Sequence, residues 1–417
     1  MNFNILHIAL LACLCGSISA QSTRIVVQPG AKVTRIVQAI EMAMAGDTIL
    51  VKAGTYREGN ILINKPLVLL GEGKPVVDGE SKYEVFSVAA SNVTISGFQI
   101  SSSGVSSIKD LAGVGVEDGS HQVSILNNDF VNTFFGVHIS GSRNSRVEGN
   151  TFKALSRGDH ETGNGIHLWQ CSDAVIRNNV IREHRDGIYF EFVTNSLIEH
   201  NVSENNHRYG LHFMFSNDDE YHHNIFRNNG AGVAVMYTRN VKMVNNTFDK
   251  NWGTSAYGLL LKDIRDSFVW NNKFTENTMA IYMEGTSRTE FKQNLFTRNG
   301  WAIRLQASCD DNLFTENNFM SNTFDMATNG TMVLNTLKQN YWDKYEGYDL
   351  NRDGVGDIPF RPINLYAMIV ERIPTAVLLW RSFLVFLLDR AEKAFPAVTP
   401  ENLKDDYPRM KPYDFNS

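Results

Sequence analysis

The sequence predicts an all-β chain folded as a right-handed parallel β-helix, a solenoid of turns about 22 residues long, with an N-terminal cap helix and a C-terminal helical tail. Two periodic phrases carry that expectation. An asparagine stands two residues ahead of a large apolar residue at Asn128, Asn150, Asn179, Asn224, Asn246, Asn272, Asn294, Asn317 and Asn340. Asn201, followed by Ser203, keeps the spacing without the apolar partner, and successive gaps are 22 or 23 residues except for one of 29 and one of 26. The second phrase is a small residue leading an apolar–any–apolar strand, as in Gly136-Val137-His138-Ile139, Gly210-Leu211-His212-Phe213 and Ala302-Ile303-Arg304-Leu305. Short third strands such as Asn240-Val241-Lys242-Met243 fall between them. Three period-2 strands per repeat, parted by Gly and Asn, are too short for amphipathic helices and too closely spaced for propeller blades of about 40 residues. Asparagine suits the corners because it tolerates left-handed backbone, and in register its amides can form an inner ladder.

Residues 1–20 read as an export signal: an apolar run from Ile5 to Leu14, then small residues up to Ala20, although no Lys or Arg precedes the run. Leu10-Leu11-Ala12-Cys13 also fits a lipoprotein box, so a lipid anchor at Cys13 is the other reading, and either implies export. The coil is expected over residues 24–345. Val33 to Met44 has helical spacing and would cover the open end of the apolar column. Strands follow at Thr48–Val51, Leu67–Leu70, Val76–Val77, Val85–Val88 and Val93–Ile95. Cys171 and Cys309 fall six turns apart in this register, far beyond disulfide reach, and are expected as free thiols. A net charge of −6 with no basic stripe argues against nucleic acid.

Alternation along the Gly-led strand aligns two outward columns. One runs His138, His167, Tyr189, His212, Ala234, Leu260, Tyr282, Arg304, and the other Ser140, Trp169, Glu191, Met214, Met236, Lys262, Glu284, Gln306. The two long gaps insert residues at the corner just before this strand. Arg157, Asp159, His160 and Glu161 of the longer one are expected to overhang the face and make a groove with His138, His167, Trp169, Tyr189 and Glu191. His212, Met214 and Met236 form a soft imidazole–thioether set suited to Cu(I); methionines merely covering an apolar patch are the plainer reading. A glycan-active enzyme or glycan-binding protein is the alternative on this scaffold. The adjacent acids Asp218-Asp219 and Asp310-Asp311, however, fall at corners where neighbours diverge, a poor basis for the paired carboxyls of glycoside hydrolysis.

Asp349, Asn351, Asp353, Gly354 and Asp357 follow the rhythm of a calcium loop, but Phe360 replaces the bidentate glutamate, so residues 346–360 fit either a calcium site or a tight acidic turn. Beyond Pro359 the periodicity stops. Residues 361–417 carry a run, Ala376 to Leu388, too short to span a bilayer, which takes about 20 residues, and too apolar to stand free. Leu378, Leu379, Trp380, Arg381, Phe383, Phe386 and Leu387 are expected to dock a partner and in part to cap the coil.

These residues resemble the NosD family. The resemblance rests on Gly46-Asp47-Thr48-Ile49, on Gly163-Asn164-Gly165-Ile166-His167-Leu168-Trp169 and on Asn340-Tyr341-Trp342-Asp343. It is most specific in Gly354-Val355-Gly356-Asp357-Ile358-Pro359, Arg381-Ser382-Phe383 and Leu387-Leu388-Asp389. It implies a non-catalytic periplasmic accessory factor for maturation of nitrous oxide reductase. Such a factor would dock on the permease and ATPase of an ABC transporter, and so be membrane-associated through its partner. It would also work with a copper-donating lipoprotein and the reductase, helping to assemble or deliver the copper–sulfide site, with copper held transiently.

Overall fold

A computed structural model describes residues 23–106, 109–154, 162–253, 256–330, 334–380, 382–394 and 403–415. Its 39 strands form three wholly parallel sheets of 14, 12 and 13 strands. Each strand pairs with its counterparts one turn before and one turn after, the pattern of a parallel β-helix. About 13 turns of about 23 residues run from Arg24–Val27 to Tyr341–Trp342. At the N-terminal end helix α1 (Ile36–Met42) covers the first turn with Ile36, Ala39 and Ile40. It is shorter than the sequence spacing suggests, and Met44 stays exposed.

The interior is stacked by residue type. Phe248, Phe274, Phe296, Phe319 and Trp342 lie face to face, with ring centroids 4.5, 5.0, 4.8 and 4.1 Å apart. Ser203, the exception to the apolar rule, is buried in this column. Its hydroxyl donates to the Gly210 carbonyl (2.7 Å) and accepts from Asn206 Nδ2 (3.0 Å), so the polar substitute is fully paired.

The recurring asparagines form the expected ladder, but they are not the left-handed residues. Positive φ falls on the residue before each one: Asn127, Gly149, Asn178, His200, His223, Asn245, Asn271, Gln293, Glu316 and Gln339. That corner residue turns the chain so that the asparagine points inward and is wholly buried. Each rung sends its backbone N–H and its Nδ2 to the next asparagine's Oδ1, as from Asn224 to Asn246 (2.9 and 3.0 Å). A second ladder, five residues on, runs through Asn206, Asn229, Asn251, Asn277, Asn299 and Asn322.

Both ladders donate in one direction and therefore need an acceptor at the end. The first ends on Asp405 from the far end of the tail: the Asn340 amide and side chain and the Trp342 indole donate to Oδ2 (2.9, 3.0 and 3.1 Å), and the Gln339 amide donates to Oδ1 (3.0 Å). The second ends on Asp325, which is also paired with Lys344 (3.1 Å). The tail thus returns to close the coil: Asp405 bridges Leu337 and Phe360, Arg409 bridges Tyr341, and Asn318 bonds Tyr413. Cys171 and Cys309 are buried free thiols, as the register requires.

Asp405→Ala would leave several buried donors without an acceptor, a loss of about 2–4 kcal/mol. Urea denaturation should read it as a lower midpoint, and an unchanged midpoint would mean that the strap does not hold the coil's end.

Candidate functional site

The lateral wall of the 12-stranded sheet carries both predicted columns in the predicted register. His138 pairs with His167, His167 with Tyr189, Tyr189 with His212, and His212 with Ala234. Trp169, Glu191, Met214, Met236 and Lys262 follow one another in the same way. The first column extends upstream through Gly115 and Ser87.

Side chains one turn apart stand close enough for ring-to-ring packing, and the four aromatic members pack edge to face. Centroids are 4.8 Å apart for His138–His167, 4.7 Å for His167–Tyr189 and 4.8 Å for Tyr189–His212. Phe135 lies against the two upstream imidazoles and Tyr209 against His212 (4.8 Å).

This packing corrects the expectation of an open histidine face. His212 is only 3% exposed, Ala234 and Leu260 are buried, and His138, His167 and Tyr189 are half-buried. Phe135 and Tyr209, each opening its strand, pack against the column's imidazoles and cover them. Burial drives the His167 pKa down to about 3, helped by His138 and Arg185, and lowers His138 as well despite Asp110, whose Oδ2 is 3.7 Å from its Nε2. The imidazoles of His138 and His167 are therefore neutral at physiological pH. Asp186 Oδ2 stands 3.8 Å from His212 Nδ1, too far for a hydrogen bond. Among the described residues that oxygen, both ring nitrogens of His167 and His212, and the side-chain amide of Asn164 are buried without a hydrogen-bond partner. Buried polar atoms left unpaired are costly.

Met214 and Met236 are brought side by side as read, but His212 is not presented beside them at the surface: its nitrogens lie beneath Tyr189 and Tyr209. The Tyr189 hydroxyl lies within donating distance of Met214 Sδ (3.6 Å) and of Glu191 Oε2 (3.3 Å), its one proton going to either, and so joins the two columns. Trp169 is 37% exposed at the upstream edge. Arg157, Asp159, His160 and Glu161, expected to overhang the face, lie outside the described residues, as do Arg381 and residues 1–22.

Asp218 and Asp219 do not face a common point. Asp218 occupies a left-handed corner and Asp219 is wholly buried, its pKa pushed up to about 8 by desolvation with Oδ1 accepting the Ser196 amide (2.8 Å). In the acidic loop, Asp349 accepts the amides of Asp353 and Gly354, Asp353 accepts that of Val355, and Asp357 that of Leu350. These oxygens bind the loop's own backbone, as a tight acidic turn does. No group of three or more His, Cys, Asp or Glu among the described residues is arranged to hold a metal ion.

Helix α2 (Leu365–Arg372) packs on strand Phe324–Thr328, and its Glu371 pairs with Arg304 at the foot of the first column (2.6 Å). The 3₁₀ turn Pro374–Leu379 and helix α3 (Phe383–Ala394) follow. Trp380 is partly spent on Phe324 and Tyr366, whereas Leu378 (86% exposed), Phe383 (73%), Phe386 and Leu387 face solvent. No helix among the described residues is long and apolar enough to cross a membrane.

Sequence reasoning missed Asp186, Tyr209 and the exposed stack Phe192–Phe215–Tyr237. The last was detectable, because each residue directly follows a member of the second column.

Fold and wall together define a β-helical scaffold with one side lined by stacked rings and thioethers and an apolar tail at its C-terminal end. The family model described as "Periplasmic copper-binding protein (NosD)" matches residues 154–348. The chain is 28% identical over 378 residues to a probable ABC transporter binding protein NosD of Stutzerimonas stutzeri, with 86% of each chain covered. It is also 28% identical over 377 residues to the protein of that name from Pseudomonas aeruginosa, covering 86% of this chain and 87% of the relative. These matches bear out the NosD resemblance read from the sequence. Among solved structures, the catalytic unit of a GH87 alpha-1,3-glucanase from Streptomyces thermodiastaticus superposes with a TM-score of 0.60 at 15% identity, covering 74% of this chain and 65% of that one. At that identity the likeness concerns the fold.

His184 occupies the next rung of the second ladder, its amide donating to Asn206 Oδ1 (3.1 Å), and burial lowers its pKa from 6.5 to about 4. Below about pH 6.5 the unfolded chain binds this proton and the folded chain does not. Its contribution is therefore complete above that pH and drains as pH falls toward about 4. His184→Asn should flatten the fall in denaturation midpoint between pH 6.5 and 4. An equally steep fall in the variant would contradict a buried neutral imidazole.

Proposed function

We propose that this protein is a non-catalytic, periplasmic accessory factor of the NosD type, docking on an ABC transporter and helping to assemble or deliver the copper–sulfide site of nitrous oxide reductase. The observation that carries the reading is the match along 86% of the chain to two relatives named as probable ABC transporter binding proteins. The permease is the docking partner. Leu378, Phe383, Phe386 and Leu387 form an apolar surface on a tail otherwise anchored to the coil, and a membrane-embedded subunit offers matching apolar surface. The ATPase would act through the permease. A copper-donating lipoprotein and the reductase would meet the lateral wall.

Copper is cargo here. The thioethers of Met214 and Met236 would hold it as Cu(I), with His212 the imidazole nearest along the same strand, its nitrogens unpaired within the fold. That Asp218 and Asp219 converge on no common point favours this reading over glycan hydrolysis.

Deleting the whole tail would remove Asp405 and unseat the coil's end, so point changes are the cleaner test. Leu378→Ser, Phe383→Ser and Leu387→Ser combined should abolish copurification with the membrane transporter while the melting temperature holds, and undiminished copurification would defeat docking through the tail. In Cu(I) titration against a competing chelator, Met214→Leu with Met236→Leu should weaken binding on the order of tenfold or more. Unaltered affinity would remove these thioethers from the path of the metal.

A further inference from the structure

Directly beside the methionine column, three large aromatic residues stand at corner positions with left-handed backbone: Phe192, Phe215 and Tyr237, with φ of 54°, 51° and 56°. Bulky side chains are strained there, and the equivalent corners two turns upstream and two turns downstream carry glycine, Gly141 and Gly285. The three rings stack face to face, centroids 5.2 and 5.1 Å apart and planes 9° and 14° from parallel, and all three remain exposed. Stacking uses up both faces of Phe215, but Tyr237 is the last ring. The next corners are Asp263 and Gly285, and a Cβ at Gly285 would collide with the Asp263 carboxylate, so that carboxylate lies over the glycine rather than over the ring. Among the described residues no further ring stacks on the downstream side of Tyr237.

Tyr237 lines a cavity of about 540 Å³, a size typical of small-molecule sites, together with Asn217, Arg239, Asp263, Arg265 and Ser287. Arg239 and Arg265 are register neighbours on adjacent turns. Like charges placed opposite one another repel. Asp266, which acts on both electrostatically, is engaged in a bidentate pair with Arg288 (2.7 and 3.0 Å). Among the described residues no carboxylate lies within ion-pair distance of either guanidinium. An aromatic face suits the apolar face of a pyranose ring, and two planar forks suit a carboxylate. Amide and hydroxyl groups at Asn217 and Ser287 suit sugar hydroxyls.

We propose that this cavity is a subsite for an acidic saccharide, a uronate ring laid on Tyr237 with its carboxylate taken by Arg239 and Arg265. The site lies at the corner beside the methionine column, and its test does not depend on the transporter reading. The test is calorimetric titration of the full chain with digalacturonate, cellobiose and inorganic phosphate. Digalacturonate should bind best. Tyr237→Ala and the double variant Arg239→Gln/Arg265→Gln should each weaken it on the order of tenfold or more, as the loss of a charge-assisted contact does, with melting temperatures unchanged. Cellobiose binding as tightly would overturn the acidic assignment. Phosphate binding as tightly, with Tyr237→Ala silent, would reduce the site to an anion contact and overturn the saccharide. Absent binding, or binding indifferent to both variants, would overturn the site itself.

Discussion

Vertical register is the constraint on which the rest of this molecule depends, and the buried amide ladders enforce it. An asparagine side chain offers an acceptor on one side and donors on the other, so a column of them propagates hydrogen bonds in a single sense. A slip of one residue in any turn would turn its whole apolar set outward and break the ladder at two rungs. The polarity also dictates how the column ends. A further asparagine would only pass the problem on, whereas a carboxylate accepts without needing to donate, and both ladders end on one, Asp405 and Asp325. The far end of the tail is therefore part of the coil's hydrogen-bonded core although it lies more than sixty positions away in the chain.

Register also fixes the outer wall. Once turns stack a strand spacing apart, rings in the first column come into contact, here edge to face, and methionines in the second stand side by side. The same closeness buries the imidazoles and holds His167 neutral. A rigid sheet thus presents preset chemistry, while the apolar tail segment stands outside it, tethered by α2 on one side and by the strap through Asp405 on the other. The Arg304–Glu371 pair links the lateral wall to the tail physically.

Fold and column membership were legible because periodicity is a local property: strand alternation and a fixed turn length place His138, His167, Tyr189 and His212 in one line without any tertiary information. The second ladder was legible too, as an asparagine five residues after the first. Exposure was not. Whether a column residue meets solvent depends on what its neighbours cover, and Tyr209 lies over His212 through strand-opening geometry that periodicity does not encode. The corner asparagines illustrate the same limit. Their spacing is plain, but the left-handed backbone sits one residue earlier, because the inward-facing position needs the amide and the turn needs only a residue that tolerates positive φ.

The sequence by itself determined the coil, its repeat, its free cysteines, the composition of its wall and an apolar tail, since each is written in local pattern and composition. Tertiary structure alone decided that Asp405 closes the ladder, that His212 is covered, that the acidic loop's carboxylates bind their own backbone and that the exposed ring stack ends at Tyr237. Each of those depends on which distant atoms arrive at a given point in space, and chain order does not specify that.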